Sequence, residues 1–173
     1  MTSPYEIATV PVPGGDVVVV VDPDDGAVIA SGFGGLERTL GFLTDAERAR
    51  GHRDAPASTA VAPVVDALTA YARGDLAALD EVTVRQPGGP FMQRAWEQLR
   101  GVTPGETDSY AGLAARAGSA TAVRAAGQAC ARNRVAPFVP CHRIVRTDGS
   151  LGGYAYGLPV KAALLAHEGA ILG

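Results

Sequence analysis

Hydrophobic positions along this chain follow two rhythms, and the rhythm changes near the middle. Tyr5–Val10 and Val17–Val21 are runs rich in β-branched residues, separated by Pro11, Pro13, Gly14 and Gly15. That arrangement predicts a β-hairpin. Asp22-Pro23-Asp24-Asp25-Gly26 carries strong turn chemistry, and Ala27–Ser31 follows as a third strand. From Ala57 to Arg73 the period becomes helical, with Val61, Val64, Val65, Leu68 and Tyr71 in register and Gly74 as the stop. Val82–Val84 is a short strand candidate. This half reads as mixed α/β without a chemical motif, so a scaffolding role is expected of it.

Arg85-Gln86-Pro87-Gly88-Gly89-Pro90 reads as a linker. It divides the chain into expected domains at 1–88 and 89–173. The second half is helical first. Phe91–Arg100 places Phe91, Ala95, Trp96 and Leu99 on one side, with Gly101 after it. Ser109 suits the N-cap of a helix over Tyr110–Ala117 that Gly118 ends, and Ser119 suits the N-cap of a second helix reaching to Ala131. Two short helices around a Gly-Ser turn outline a helix-turn-helix. The second helix is rich in small residues, which fit either tight packing on neighbouring helices or close approach to a partner. Arg124 and Gln128 share one of its faces. Thr147-Asp148-Gly149-Ser150 is a turn that would fit a hairpin, Gly152–Gly157 is a glycine-rich loop, and Leu158–Glu168 is a final helix with Pro159 in its first turn.

Composition narrows the classes. Of 173 residues, 47% are apolar and 19% charged, which suits a soluble globular protein and not a disordered one. No stretch approaches the ~20 apolar residues of a membrane helix, so no membrane partner is expected. The first residues lack the basic and apolar regions of a secretory signal. Two cysteines, Cys130 and Cys141, make no disulfide framework, so a cytoplasmic, reducing location is expected. The net charge of −3 is unevenly placed: residues 1–90 hold 6 Arg against 13 Asp and Glu, while residues 91–173 hold 8 Arg and Lys161 against 5 Asp and Glu. A basic C-terminal half suits phosphates, although chance segregation gives the same numbers.

Pro140-Cys141-His142-Arg143 is the most informative tetrapeptide. A thiol becomes a strong nucleophile once deprotonated, and a neighbouring base promotes that loss. His142 is adjacent, and Glu168 is available to orient it in a Cys-His-acid arrangement. The alternative for Cys141 is an inert buried thiol, and for His142 a satisfied core histidine. A metal site built from Cys130, Cys141, His142 and His167 matches none of the usual zinc spacings, so no metal is expected. Cys130 reads as small packing or pocket lining.

The chain resembles the O6-alkylguanine-DNA alkyltransferases, also called methylated-DNA–protein-cysteine methyltransferases. Resemblance runs from about Phe91 to Gly169. It rests on Gly105-Glu106-Thr107, Ser109-Tyr110, Ala122-Val123-Arg124-Ala125, Asn133, Val139-Pro140-Cys141-His142-Arg143, Gly152-Gly153-Tyr154 and Leu164-Leu165-Ala166-His167-Glu168-Gly169. Residues 1–90 resemble the family in layout only.

The resemblance implies an α+β protein: an N-terminal α/β, ribonuclease-H-like domain followed by a C-terminal winged helix-turn-helix-like catalytic domain. It implies a monomer that repairs DNA by direct reversal, moving an alkyl group from guanine O6, with thymine O4 as a second candidate donor, to Cys141 once per molecule. No cofactor is implied. His142 corresponds to the base acting through a water, Glu168 to the acid that holds it, and Asn133 to the support of the turn between recognition helix and active site. Tyr110 and Lys161 correspond to groups that protonate or stabilise the leaving guanine. Arg124 corresponds to the arginine that fills the space of a flipped-out nucleotide in double-stranded DNA. Val123, Ala125, Gly127 and Gln128 belong to the same helix, which the family places in the minor groove. Val135, Tyr154, Ala155 and Tyr156 fall at the substrate pocket. Ala155 stands where many members carry serine, Tyr156 where a small residue is common, and Arg134 where proline often follows the asparagine; these departures bear on substrate range. The rivals are a non-catalytic lesion binder, a helix-turn-helix regulator with a redox-sensing Cys141, and a Cys-His-Glu hydrolase.

Overall fold

A computed structural model of the protein describes residues 2–171. It is a mixed α+β structure in two compact units. One comprises the residues up to Gln86 together with Arg134–Phe138; the other comprises Pro87–Asn133 and the residues from Val139 onward.

The first unit is built on a four-stranded sheet with order β3-β2-β1-β4. β1 (Tyr5–Val12) and β2 (Gly15–Val21) form the expected hairpin, and β3 (Val28–Gly32) pairs antiparallel with β2. Val17–Val21 is buried throughout because β2 has a strand on each side and cover on both faces, which is why its sequence is continuously apolar. α1 (Leu36–Leu40) and α2 (Asp45–Arg50) lead into β4 (His52–Asp54), which pairs parallel with β1. α3 (Ala62–Ala72) buries Val64, Leu68 and Tyr71. It starts five residues later than its periodicity suggests: the Val61 amide donates to Ser58 Oγ and the Ala62 amide to the Ser58 carbonyl, so Ala57–Val61 forms turns. Val82–Val84 supplies one parallel bridge, Val84 to Val28, and no strand. Arg134–Phe138 joins this unit because Val135 bridges Ser31 and the Ser31 hydroxyl donates to the Ala136 carbonyl at 2.8 Å.

In the second unit, α4 (Pro90–Arg100) starts on Pro90, whose fixed φ suits a first helical residue, and buries Ala95, Trp96 and Leu99. Trp96 Nε1 donates to the Ala129 carbonyl of α6 at 2.9 Å. α5 (Tyr110–Arg116) is capped as expected, Ser109 Oγ accepting from the Gly112 amide. α6 (Val123–Ala131) starts at Val123 and not at Ala120. Ser119 is no cap: its carbonyl accepts from the Ala122 amide, closing a turn over residues 119–122. β5 (Asp108–Ser109) pairs parallel with β6 (Ile144–Val145). Residues 147–150 therefore form a turn without a paired hairpin strand. α7 (Leu158–His167) buries Lys161, Leu164 and Leu165. Among the described residues, no helix is long and apolar enough to cross a membrane.

Candidate active site

Cys141 opens a single 3-10 turn, Cys141–Arg143, directly before β6 and is 7% exposed. Asn133, just past the end of α6, fixes its approach. Asn133 Nδ2 donates to the Val139 carbonyl at 2.7 Å and to Cys141 Sγ at 3.3 Å. Burial pushes the thiol pKa up, while the Asn133 hydrogen bond and the nearby Lys161 charge oppose that rise. The resting group is a thiol whose conversion to thiolate is assisted from two sides.

His142 faces inward. Its Nε2 lies 2.8 Å from Glu168 Oε2, with both side chains fully buried. Burial pulls the imidazole pKa below its ordinary value against the raising effect of Glu168, so the ring is neutral at neutral pH. A neutral ring donating Nε2–H to the carboxylate leaves the Nδ1 lone pair free to accept a proton, and buried Nδ1 has no hydrogen-bond partner among the described residues. Burial works against the Glu168 carboxylate, but hydrogen bonds from His142 and Arg143 outweigh it and hold the pKa at about 2. Arg143 Nε donates to Glu168 Oε1 at 2.8 Å and Nη2 to Oε2 at 3.0 Å, a bidentate pair; Nη1 donates to the Val102 carbonyl at 2.7 Å. The sequence offered Arg143 as part of a signature without a role. Its adjacency to His142 is the only local hint that one carboxylate would serve both.

Cys141 opens into a cavity of about 350 Å³ lined by Tyr110, Gly127, Cys130, Ala131, Gly153, Tyr154 and Ala155. α6 supplies one wall and the 153–155 loop another. Gly127 keeps the α6 wall low, and the Tyr154 ring meets the Tyr156 ring edge-on at 5.6 Å, so Tyr156 backs the wall without lining it. Gly152 needs its freedom: φ is +72°, and a Cβ there would lie 3.2 Å from the Tyr110 hydroxyl. Burial raises the Tyr110 pKa, so it holds its proton at neutral pH.

Four residues singled out in the sequence, Tyr156, Lys161, Val135 and Arg134, are not part of this lining. Lys161 does not line the cavity. Its fully buried ammonium donates to the carbonyls of Ile144 (2.6 Å), Leu151 and Gly153 (3.1 Å), and so secures the loop that does. Val135 is fully buried beside Ser31 in the first unit and is absent from the lining, because its segment follows the sheet edge. Arg134 faces no solvent: it pairs with Glu47 at 2.8 Å and donates to the Phe42 carbonyl at 2.9 Å. On α6, Val123, Arg124 and Gln128 are exposed and Ala125 is half-buried. Among the described residues, no group of three or more His, Cys, Asp or Glu side chains forms a metal-binding cluster.

Comparison with known proteins fits this geometry. The family model described as the 6-O-methylguanine DNA methyltransferase DNA-binding domain matches residues 90–170. The methylated-DNA–protein-cysteine methyltransferase of Mycobacterium tuberculosis is 37% identical over 150 residues, covering 86% of this chain and 89% of that protein. This chain belongs to the methylated-DNA–protein-cysteine methyltransferase family. The crystal structure of the M. tuberculosis O6-methylguanine methyltransferase aligns with a TM-score of 0.74 at 30% identity, over 96% of this chain and 92% of that one. A structure of M. tuberculosis OGT in complex with DNA aligns with a TM-score of 0.73 at 27% identity, over 94% and 92% of the two chains. Other family members differ in extent. The Salmonella typhimurium regulatory protein Ada is 49% identical over 81 residues, 47% of this chain but only 23% of Ada, so the match spans under a quarter of that relative.

Proposed function

We propose that this chain repairs alkylated DNA by transferring an alkyl group from guanine O6 to Cys141 Sγ, once per molecule. The observation that carries the reading is Cys141 on the wall of a cavity beside α6, hydrogen-bonded by Asn133 and followed in the chain by the buried His142–Glu168 pair. Proton transfer from the thiol to His142 Nδ1, through a water, gives the thiolate. Sulfur then attacks the alkyl carbon, the S–C bond forms, the C–O6 bond breaks, and the electron pair leaves with the guanine. Tyr110, protonated and on the cavity wall, donates to that developing charge. The thioether C–S bond of the product is inert to hydrolysis, so the alkyl group stays, and the thiolate is both reagent and acceptor, so the step calls for no cofactor.

The finer architecture belongs to the same reading. The sheet with parallel β1 and β4 and helix α3 supports a ribonuclease-H-like scaffold over residues 1–88, and α5 and α6 around the 117–122 turn support a winged helix-turn-helix-like domain over 89–173. α6 enters the minor groove of double-stranded DNA; its small residues, Ala125 and Gly127, suit close approach. The base flips into the cavity and exposed Arg124 fills its place. The protein acts as a monomer in the cytoplasm.

Cys141→Ser tests the assignment: transfer disappears while binding to duplex carrying O6-methylguanine persists. Retained transfer removes Cys141 from the reaction. Binding by the unaltered protein without transfer makes it a lesion binder.

A further inference from the structure

Arginines of the second unit other than Arg100 fall into two groups. Arg143 and Arg116 pair with Glu168 and Asp108, and Arg94 donates to the Ala117 carbonyl at 2.8 Å. Arg124, Arg132 and Arg146 are exposed, and their side chains have no hydrogen-bond or ion-pair partner among the described residues. An unpaired guanidinium carries its full donor fork to whatever approaches, and phosphate matches that fork.

The positions of two of these cations are informative. Arg132 follows Ala131, the last lining residue of α6. Arg146 follows β6, and its side chain reaches the other wall: a Cβ on Gly152 would lie 3.5 Å from Arg146 Cγ and 3.2 Å from the Tyr110 hydroxyl. Arg146 also acts electrostatically on Tyr110, against the rise that burial imposes. The lining itself is largely apolar and holds no cation, so it suits a base while the charge lies at its margins.

We propose that Arg132 and Arg146 bind the phosphodiesters on the two sides of the nucleotide whose base enters the cavity, Arg132 from the α6 wall and Arg146 from the loop wall. This rests on the alkyl-transfer reading and adds two backbone contacts to it. Such contacts carry no sequence information; they fix the register of the flipped nucleotide and make the reaction salt-dependent.

The test is the rate constant for transfer from duplex O6-methylguanine at limiting protein, measured from low to moderate salt. Each phosphate contact adds about 0.9 to the steepness of the log–log plot. Arg132→Gln and Arg146→Gln are each expected to flatten it by about 1, and the double variant by about 2. Lys at either position keeps the slope. Arg73→Gln, which removes the same charge from an exposed position of the first unit, leaves it unchanged. Unaltered slopes in the Gln variants, or an equal flattening by Arg73→Gln, overturn the inference. No transfer by the unaltered chain, from duplex or from free O6-methylguanine, instead overturns the underlying reading.

Discussion

Glu168 accepts from His142 and Arg143 at once, joining the end of α7 to the turn that carries Cys141. The carboxylate is buried, so its partners are what keep it ionised. Glu168→Gln leaves Arg143 without its counter-charge and His142 without a fixed tautomer. Breaking a buried pair on one side costs about 3–5 kcal/mol, seen as a lower denaturation midpoint. Transfer is expected to slow by roughly 10²-fold or more, the scale of lost general-base help. Unchanged stability and rate would show that the pair does neither job.

Acid acts on the same cluster with one sign. Glu168 falls from an ordinary 4.5 to about 2 on folding, so its contribution is complete above pH 4.5 and is lost as pH drops toward 2. Burial depresses His142 below 6.5, so below that pH the unfolded chain takes up a proton the folded chain resists. Both effects reduce stability on acidification. With the neutral ring as the proposed base, the transfer rate holds through pH 6.5 and falls only below the depressed pKa of the folded ring; His142→Gln removes that limb along with roughly 10²–10⁴ of rate. A limb that persists in His142→Gln would assign it to another group.

Lys161 works through the cavity loop. Burial lowers its pKa, but three carbonyls take its donors. Lys161→Met strands those carbonyls, at roughly 1–3 kcal/mol for each left unpaired. Hydrogen exchange at 151–154 is expected to speed up, and transfer to slow equally on duplex and on free base. Loss of rate with undisturbed exchange would restore a direct role toward the leaving guanine.

Much of this was legible in the sequence, and the failures have physical causes. The β1–β2 hairpin and α5 are set by local signals: β-branched runs around Gly14-Gly15, and the Ser109 cap. The start of α6 was not, because alanine favours helix equally at Ala120 and Val123's neighbours and leaves no mark of where it begins. α2 carries a readable Thr44–Glu47 capping box that goes unnoticed beside a polar segment. β4 is three exposed polar residues, paired only because β1 lies alongside. Within the site, Cys141, His142 and Glu168 stand in the signature itself. Arg143 with Val102 and Lys161 with its carbonyls depend on backbone groups far along the chain, which residue types do not encode.

Arg134 illustrates the same point in the first unit. The family resemblance leads one to expect proline there, yet Arg134 is buried against Glu47 and the Phe42 carbonyl. Desolvation opposes the Glu47 charge, but the hydrogen bonds from Arg134 and Thr44 together with the Arg134 charge outweigh it and lower the carboxyl pKa. A double-mutant cycle with Arg134→Ala and Glu47→Ala is expected to show a coupling of about 0.5–3 kcal/mol. Additivity of the two would mean the ion pair contributes nothing to the fold.

The central claim is that Cys141 takes one alkyl group from DNA and keeps it. Intact-protein mass after mixing with duplex bearing one O6-methylguanine, followed by peptide mapping, tests it most directly. The expected result is a single methyl on Cys141, saturating at one per molecule. A folded protein that binds this DNA and gains no mass, or that carries the methyl on another residue, would contradict it.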